Sequence, residues 1–253
     1  METADLERRF GGLRRLYGDA GYARIRAARF AIVGVGGVGS WCAEALARSG
    51  VAGLTLIDLD HVSESNINRQ VQATDATLGQ AKVQALRERI AGIHPGCDVT
   101  CIEEFVDAEN WPALLPQPVD AVIDACDQVR AKVAIAAWAL RAGSMLVVAG
   151  AAGGKRLPHA VQVEDLGLVT HDALLASLRQ RLRKQHDAAR SGKIGLRCVF
   201  SREAVAAPVD VCDLDAATDS SLNCHGYGSS VGVTATFGMV AASLALESVA
   251  TQK

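Results

Sequence analysis

The chain has 253 residues, a formal net charge of −2 and a composition that is 49% hydrophobic, with 24 glycines. This length fits one large domain or two small ones, and the apolar content argues against a disordered chain. The low net charge gives no overall attraction to nucleic acid or membrane, so any RNA contact requires a local basic patch. Seven cysteines form no CxxC pair and follow no secretory signal, which predicts a reducing, cytoplasmic compartment and no zinc.

Strand and helix patterns alternate after an N-terminal helical segment, residues 1–28. Strands are predicted over 29–34, 54–60, 98–106, 120–127 and 145–151, with helices over 40–49, 79–92 and 128–143. Runs such as AVIDA and LVVAGA are apolar on both faces, as a parallel sheet between two helix layers requires. Residues 29–151 are therefore predicted to form an α/β, Rossmann-like domain with a doubly wound, mostly parallel sheet that binds ATP or a dinucleotide.

Residues 152–253 are predicted to be an α+β extension packed on the same core, for substrate binding and dimerisation. It contains strands over 159–167 and 196–204, a basic helix over 171–190, a polar stretch over 208–223 and a final apolar helix over 231–250. The final helix is long enough to span a membrane, but its Ala, Gly, Ser and Thr content and its Glu247 favour a buried or dimer-facing helix. Peripheral membrane association stays open.

A glycine-rich turn joins the first strand to the first helix, through Gly34, Gly36, Gly37 and Gly39. Such glycines allow a tight turn and a close approach of the backbone to phosphate, while the helix N-terminus directs its amides at the anion. Asp58 ends the second strand, where a carboxylate accepts hydrogen bonds from ribose hydroxyls. These features suit an NAD(P)-dependent oxidoreductase as well as an ATP-using enzyme.

The segment that follows Asp58 favours ATP, because it carries the polar candidates Asp60, Asn66, Asn68, Arg69 and Lys82. Glycine amides and a helix N-terminus largely balance the two phosphate charges of a dinucleotide. The reacting α-phosphate of ATP, in contrast, needs cationic side chains and a Mg²⁺ ion held by a carboxylate. Arg69 and Lys82 fit that need, and Asp124 or Asp127 can hold the metal. The structural alternative for Arg69 and Lys82 is that they are solvated surface charges, and for Asp127 it is that the side chain caps a helix N-terminus. The combination predicts adenylation.

Four stretches resemble the ubiquitin-activating enzyme superfamily, whose ThiF- and MoeB-like members adenylate a carboxylate. They are GVGGVGSWCAEALARSGV, LIDLDHVSESNINRQ, GQAKV and DACDQ. The resemblance implies catalytic roles for Arg69, Lys82 and Asp127, with Asp127 on Mg²⁺. It also implies ATP-site roles for Gly37, Asp58, Ser65, Asn66, Asn68 and Gln128, and it leaves open whether a monovalent cation (Na⁺ or K⁺) orders the site.

Later stretches resemble, more specifically, the tRNA threonylcarbamoyladenosine dehydratase branch, also called TcdA or CsdL. They include AGAAGGKRLP, DALLASLRQRLRK, KIGLRCVFSREA and GSSVGVTATFGMVAASLALE. This resemblance implies ATP-dependent cyclisation of N6-threonylcarbamoyladenosine in tRNA. A sulfur-carrier adenylyltransferase is an alternative, although such relatives typically carry two CxxC pairs. An NAD(P)-dependent oxidoreductase and an inactive nucleotide-binding scaffold are further alternatives.

A tRNA substrate requires cations that bind phosphate, for which the candidates are Lys155, Arg156, Arg179, Arg181, Arg183 and Lys184, followed by Arg190, Lys193 and Arg197. A solvated helix face is the alternative explanation of this run. The resemblance further implies a homodimer in which Arg14 or Arg15 reaches the neighbouring ATP site, and a link to the sulfur-transfer pair CsdA and CsdE. Cys126 and Cys224 are candidates for sulfur exchange, although buried packing is the simpler role.

Overall fold

The structure is a computed structural model that describes residues 4–206 and 227–252. Within these residues, seven strands form one sheet in the order β3-β2-β1-β4-β5-β7-β6. The strands are β1 Arg29–Val33, β2 Gly53–Ile57, β3 Asp98–Ile102, β4 Ala121–Asp124, β5 Leu146–Ala149, β6 Val161–Asp165 and β7 Arg197–Ser201. All neighbouring pairs are parallel except β6 with β7. The predicted α/β class and its mostly parallel, Rossmann-like sheet are confirmed.

Helices cover both faces of the sheet. They are α1 Leu6–Phe10, α2 Gly12–Ala27, α3 Gly39–Arg48, α4 Lys82–Ile93, α5 Val129–Ala142, α6 Ala173–Gln185 and α7 Val231–Ala250. One hydrophobic core joins α2, α3, α4 and α7 to one face, and a second joins α5 and α6 to the other. The basic helix predicted over 171–190 is shorter, because the chain turns through Asp187 with φ 53° just beyond α6.

The last helix, α7, packs in the core. Gly238 lies so close to α3 that an added Cβ would collide with the carbonyl oxygen of Val38. Arg24 of α2 donates hydrogen bonds to the carbonyl oxygens of Val249 and Ala250, which stabilises the helix C-terminus. In the described part of the chain α7 is the one helix long and apolar enough to cross a membrane, and 56% of its apolar window is buried inside the protein. This packing agrees with the predicted core helix.

The six parallel strands all end at one edge of the sheet, which we call the site edge. The strand order reverses at β1, because β2 lies on one side of it and β4 on the other. Ligands of doubly wound sheets bind at such a reversal, outside the carboxyl ends of the strands. The glycine-rich loop after β1 and the turn after β4 both lie there.

The extension adds β6 and β7 to the same sheet through pairing of β7 with β5. Beyond β7, the backbone N–H of Ala206 donates to the carbonyl oxygen of Gly154, and the N–H of Gly154 donates to the carbonyl oxygen of Gly228. Ala206 and Gly228, which lie on either side of the residues that are not described, are therefore both hydrogen-bonded to Gly154. The predicted polar stretch over 208–223 and Cys224 lie outside the described residues, and the domain boundaries at 28 and 151 stay predictions.

Candidate nucleotide-binding site

The loop between β1 and α3 requires glycine at two positions. Gly34 has φ +82°, and an added Cβ would lie 2.8 Å from both the backbone nitrogen and Cα of Cys126. At Gly39, an added Cβ would collide with the carbonyl oxygen of Gly34. Gly36 and Gly37 have more room, since the nearest heavy atoms to an added Cβ are 3.8 and 3.2 Å away. The loop thus brings bare backbone to the N-terminus of α3, an arrangement that binds phosphate.

Asp58, directly after β2, is hydrogen-bonded to this loop. Its Oδ2 accepts from the backbone nitrogen of Val35 at 2.7 Å, and its Oδ1 accepts from that of Asp60 at 2.9 Å. Burial raises the pKa of Asp58, and the ammonium of Lys82 opposes that rise. The carboxylate is therefore fixed in orientation at the site edge, where it suits a ribose hydroxyl.

Lys82 begins α4 and reaches back to the site edge. Its Nζ lies 2.6 Å from Oδ2 of Asp60, and its side chain is only 9% exposed, whereas that of Asp60 is 58% exposed. The backbone nitrogen of Lys82 also donates to the carbonyl oxygen of Asp60 at 3.0 Å. Lys82 is thus not a solvated surface charge, and its ammonium is held beside Asp58, as a phosphate-binding cation requires.

Arg69 lies between α3 and the start of α7. Its carbonyl oxygen accepts from Nε1 of Trp41 at 3.0 Å and from Oγ1 of Thr234 at 3.4 Å. Its Nη1 donates to the carbonyl oxygen of Ser65 at 2.5 Å and to Oδ1 of Asn68 at 3.0 Å. Arg69 is half-buried as a residue, and its guanidinium is oriented by hydrogen bonds within its own segment.

The neighbouring predicted residues differ in their roles. Asn66 is buried, and its Oδ1 accepts from the backbone nitrogen of Ser63 at 3.2 Å, so its side chain stabilises the turn. Asn68 is exposed, and its Nδ2 donates to the carbonyl oxygen of Ser229 at 3.0 Å, just before α7. Ser65 is also exposed, and its Oγ lies 3.0 Å from that of Ser63. The segment therefore contacts the start of α7 through Asn68 and Arg69 and also presents exposed side chains, those of Ser65 and Asn68.

The turn after β4 separates the two candidate metal ligands. Asp124 is fully buried, and its Oδ1 accepts from Nζ of Lys132 at 3.0 Å in an ion pair without solvent exposure. Asp127 is half-buried in the turn, one residue before the exposed Gln128, which is the N-cap residue of α5. Asp124 is paired with Lys132 in the core, so of the two candidate ligands in this turn Asp127 is the one that lies at the site edge.

Cys126 lies in the same turn, and its Sγ donates to Oδ1 of Asp124 at 3.0 Å. Burial raises the pKa of the Cys126 thiol, and the neighbouring Asp124 carboxylate raises it further, so the thiolate is disfavoured. Residues 4–206 and 227–252 contain no group of three or more His, Cys, Asp or Glu side chains arranged to hold a metal ion.

Two glutamines and a lysine at this site were missed by the sequence reasoning. Gln72 is buried, and its Nε2 donates to the carbonyl oxygen of Val35 at 2.9 Å and to Oε1 of the buried Gln70 at 3.3 Å. Their position immediately after the SNINR run was the available signal. Lys132 was visible as a cation that follows Asp124 by eight residues, near the start of the largely apolar α5.

The predicted tRNA-binding cations are not equally accessible. Lys155 is 2% exposed, and its Nζ donates to the carbonyl oxygens of Ser201 at 3.2 Å and Glu203, so it is a structural residue and we correct its assignment to tRNA. Burial lowers the pKa of Lys155, as expected for an enclosed ammonium. Arg156 is exposed in the loop after β5, at the site edge, and Arg181 and Lys184 are exposed on α6.

Sequence and structure comparisons agree with this geometry. The chain matches the ThiF family over residues 11–252. The tRNA threonylcarbamoyladenosine dehydratase of Escherichia coli (strain K12) is 42% identical over 247 residues, which cover 94% of this chain and 92% of that protein. Crystal structures of the E. coli dehydratase TcdA with ATP and with AMP have TM-scores of 0.86 and 0.87 at 41% identity, and the match covers 98% of this chain and 96% of theirs.

These matches extend through the segments after β5, which the sequence analysis identified as the specific ones. They therefore include the β6–α6–β7 extension and α7 as well as the nucleotide-binding half. The chain belongs to the ThiF family and, within it, to the tRNA threonylcarbamoyladenosine dehydratases.

Proposed function

We propose that this protein is an ATP-dependent dehydratase that converts N6-threonylcarbamoyladenosine in tRNA to its cyclic form through carboxylate adenylation. The observation that carries the proposal is the convergence of the glycine-rich loop, Asp58 and Lys82 at the site edge. That convergence occurs in a chain that is similar from end to end to a dehydratase solved with ATP and with AMP. Of the alternatives, a sulfur-carrier adenylyltransferase shares the adenylation step but not the tRNA.

The residues present suit the first step of this reaction. Loop amides and the N-terminus of α3 bind phosphate, Asp58 accepts hydrogen bonds from the ribose, and Arg69 and Lys82 stabilise charge that develops at the α-phosphate. The threonyl carboxylate attacks that phosphorus, and the bond to pyrophosphate breaks. An acyl-adenylate results, in which AMP is a far better leaving group than the original carboxylate oxygen.

The second step needs little beyond positioning. An internal group of the modified base attacks the activated carbonyl carbon and loses its proton, the C–O bond to AMP breaks, and the ring closes. Because the original carboxylate oxygen leaves with AMP, the base has lost one water overall. The step is intramolecular, so holding the base in a reactive geometry supplies much of the rate enhancement. The thiol of Cys126 is not required as a nucleophile.

Mg²⁺ fits this site as a companion of ATP. Mg²⁺ is commonly held by one or two carboxylates together with substrate phosphates, and Asp127 is the carboxylate that the turn after β4 leaves at the site edge. The absence of a cluster of three acidic or other ligands among the described residues is compatible with such a shared site. The ion would supply neutralisation of the phosphate charge. A monovalent cation stays a prediction without assigned ligands.

The partner predictions are part of the proposal and rest on the family resemblance. Arg14 forms ion pairs with Glu7 at 3.0 Å and Asp19 at 2.7 Å and lies 4.6 Å from the ring centroid of Tyr22. Those contacts hold it within its own chain, so the exposed Arg15 is the better candidate to reach the ATP site of a second copy in a homodimer. A cytoplasmic location and cooperation with CsdA and CsdE complete the proposal.

One assay tests the function directly. The protein is incubated with ATP, Mg²⁺ and tRNA that carries N6-threonylcarbamoyladenosine, and the nucleosides are analysed by mass spectrometry. The expected result is loss of one water from the modified base, dependent on ATP and absent with Lys82→Met. Unchanged nucleosides, combined with pyrophosphate exchange that a ubiquitin-like sulfur carrier stimulates, would instead identify a sulfur-carrier adenylyltransferase.

A further inference from the structure

The ammonium of Lys155 lies in a cage of backbone carbonyl oxygens. Lys155 follows β5 in the chain and is only 2% exposed. Its Nζ donates to the carbonyl oxygens of His171 at 3.4 Å, Ser201 at 3.2 Å and Glu203. These oxygens come from the turn before α6, the end of β7 and the segment after β7. An ammonium has three N–H donors, so the three carbonyl oxygens satisfy all of them.

The cage balances the charge of Lys155 with peptide dipoles instead of a paired carboxylate. In the described part of the chain, the lysines that form ion pairs are Lys82 and Lys132. The carboxylates of Asp172 and Glu203 act on the Lys155 ammonium from beyond ion-pair distance. A buried charge is costly unless polar groups replace its hydration. Backbone carbonyl oxygens replace the hydration shell of K⁺ in the same way, and K⁺ and ammonium are monovalent ions of similar size. The cage therefore has the chemistry of a monovalent-cation site.

The backbone around the cage is specialised. His171 has φ 61°, a left-handed conformation that is uncommon for residues other than glycine, and its carbonyl oxygen accepts from the ammonium. The carboxylate of Glu203 accepts from the backbone nitrogens of Arg156 at 3.0 Å and Leu157 at 2.9 Å. Glu203 thus holds the loop after β5 twice, through its carbonyl oxygen on Lys155 and through its side chain on the next two residues.

The loop that carries Lys155 is hydrogen-bonded to the segment that supports Arg69. The backbone nitrogen of Gly154 donates to the carbonyl oxygen of Gly228 at 2.9 Å, and Nδ2 of Asn68 donates to that of the next residue at 3.0 Å. Oδ1 of Asn68 in turn accepts from Nη1 of Arg69 at 3.0 Å. A short series of hydrogen bonds and adjacent residues therefore connects the cage to the guanidinium that is proposed to act on the α-phosphate.

We infer that the ammonium of Lys155 is a tethered cation, which takes the place of a bound monovalent ion and positions the loop that supports Arg69. The role of Arg69 rests on the proposed function, whereas the cage does not. Because the ammonium is attached to the chain, its effective concentration in the cage is high. Na⁺ or K⁺ from solution is therefore not expected to bind in this cage of the unaltered protein. Lys155 is a positioning residue, since its charged group is enclosed by protein.

The first measurement opens the cage and offers ions of different size. Lys155→Ala removes the ammonium and leaves room for an ion, whereas the matched control Lys155→Met removes the charge but keeps most of the side-chain volume. Thermal unfolding midpoints are measured in chlorides of K⁺, ammonium and tetramethylammonium, which is too large for the cage, at one ionic strength. We expect K⁺ and ammonium to raise the midpoint of Lys155→Ala by an amount that grows with their concentration, as binding to the folded state requires. Lys155→Met and the unaltered protein should show no such response.

The second measurement is dehydration of modified tRNA, at a temperature well below every midpoint. In tetramethylammonium chloride, Lys155→Ala should lower kcat roughly 10-fold with little change in the KM for ATP, because Arg69 acts on charge that develops in the transition state. Ammonium should restore the kcat of Lys155→Ala and should not restore that of Lys155→Met.

Specific outcomes would overturn the inference. If tetramethylammonium stabilises Lys155→Ala as well as K⁺ and ammonium do, or if Lys155→Met responds equally, the ions do not bind in the cage. The same conclusion follows if Lys155→Ala stays unfolded in every salt while Lys155→Met folds. If ions restore the midpoint but Lys155→Ala never loses kcat, the cage does not position Arg69. The unfolding measurements use no substrate, so a failed cage and a failed dehydratase function give different results.

Discussion

Replacement of Lys132 by methionine gives the sharpest test of how the site is supported. The Lys132 ammonium donates to Oδ1 of Asp124 at 3.0 Å and to the carbonyl oxygen of Ala149 at 2.9 Å, and neither member of the ion pair is exposed. Lys132→Met keeps the length of the side chain but leaves the Asp124 carboxylate buried without its counter-ion. Removal of one partner from a buried pair costs about 3–5 kcal/mol of unfolding free energy, a large share of a typical 5–15 kcal/mol.

The assay is urea unfolding of the single variant and of a double variant, Asp124→Asn with Lys132→Met. The double variant removes both charges and keeps an oxygen that accepts from the backbone nitrogen of Cys126, so it should regain most of the lost stability. Burial disfavours the charged lysine, but the Asp124 carboxylate outweighs it and raises the pKa of Lys132. The pair therefore contributes fully below the ordinary lysine pKa of about 10.5, and its contribution is lost only as pH rises above that value.

Two results would refute this reasoning. The first is a loss of less than about 1 kcal/mol in Lys132→Met, which would mean that water or another group compensates the carboxylate. The second is a double variant no more stable than the single one. A stability difference between the unaltered protein and Lys132→Met that disappears between pH 7 and pH 9 would contradict the raised pKa of Lys132.

Three further predictions concern the site itself. Gly34→Ala should lower ATP affinity at least 10-fold and should destabilise the protein more than the control Gly79→Ala does. Gly79 has a similar φ of +79°, but an added Cβ there meets open space. Titration calorimetry measures the ATP affinity of the two variants, and scanning calorimetry measures their unfolding. Lys82→Met should slow ATP–pyrophosphate exchange roughly 10²–10³-fold without lowering the unfolding midpoint by more than a few degrees, and unchanged exchange would exclude the proposed role. Cys126→Ala should retain both pyrophosphate exchange and dehydration; loss of dehydration alone would assign a covalent step to its thiol.

The sheet and the phosphate loop were predictable because their signals are local. Strands buried on both faces are largely apolar, and β1, β4 and β5 each have four consecutive buried residues, all of them apolar except Asp124. The glycines at 34 and 39 follow from a turn that approaches other backbone too closely for any side chain. Asp58 follows from the end of the second strand, which the topology places beside the first.

The environment of individual cations was not predictable, because it depends on distant segments. Lys155 looks like any loop lysine in sequence, yet its ammonium is enclosed by carbonyl oxygens from the end of β7 and from the residues just beyond it. Arg14 and Arg15 are adjacent and identical, and only the position of Glu7 and Asp19 around the N-terminal helices distinguishes them. Propensity and spacing report on neighbours in the chain, whereas the accessibility of a charge depends on the packed structure.

Two backbone hydrogen bonds of Gly154 make the structure of the site insensitive to the length of the segment between Ala206 and Gly228. Because Ala206 and Gly228 both bond to this residue, the two ends of the intervening chain are fixed at one point near the ends of β5 and β7. The entropy of closing a chain segment changes slowly with its length, by about 0.6 kcal/mol for each doubling. Insertions or deletions between residues 206 and 227 are therefore expected to change the folding free energy little, while the glycine-rich loop and its supporting helices stay in register.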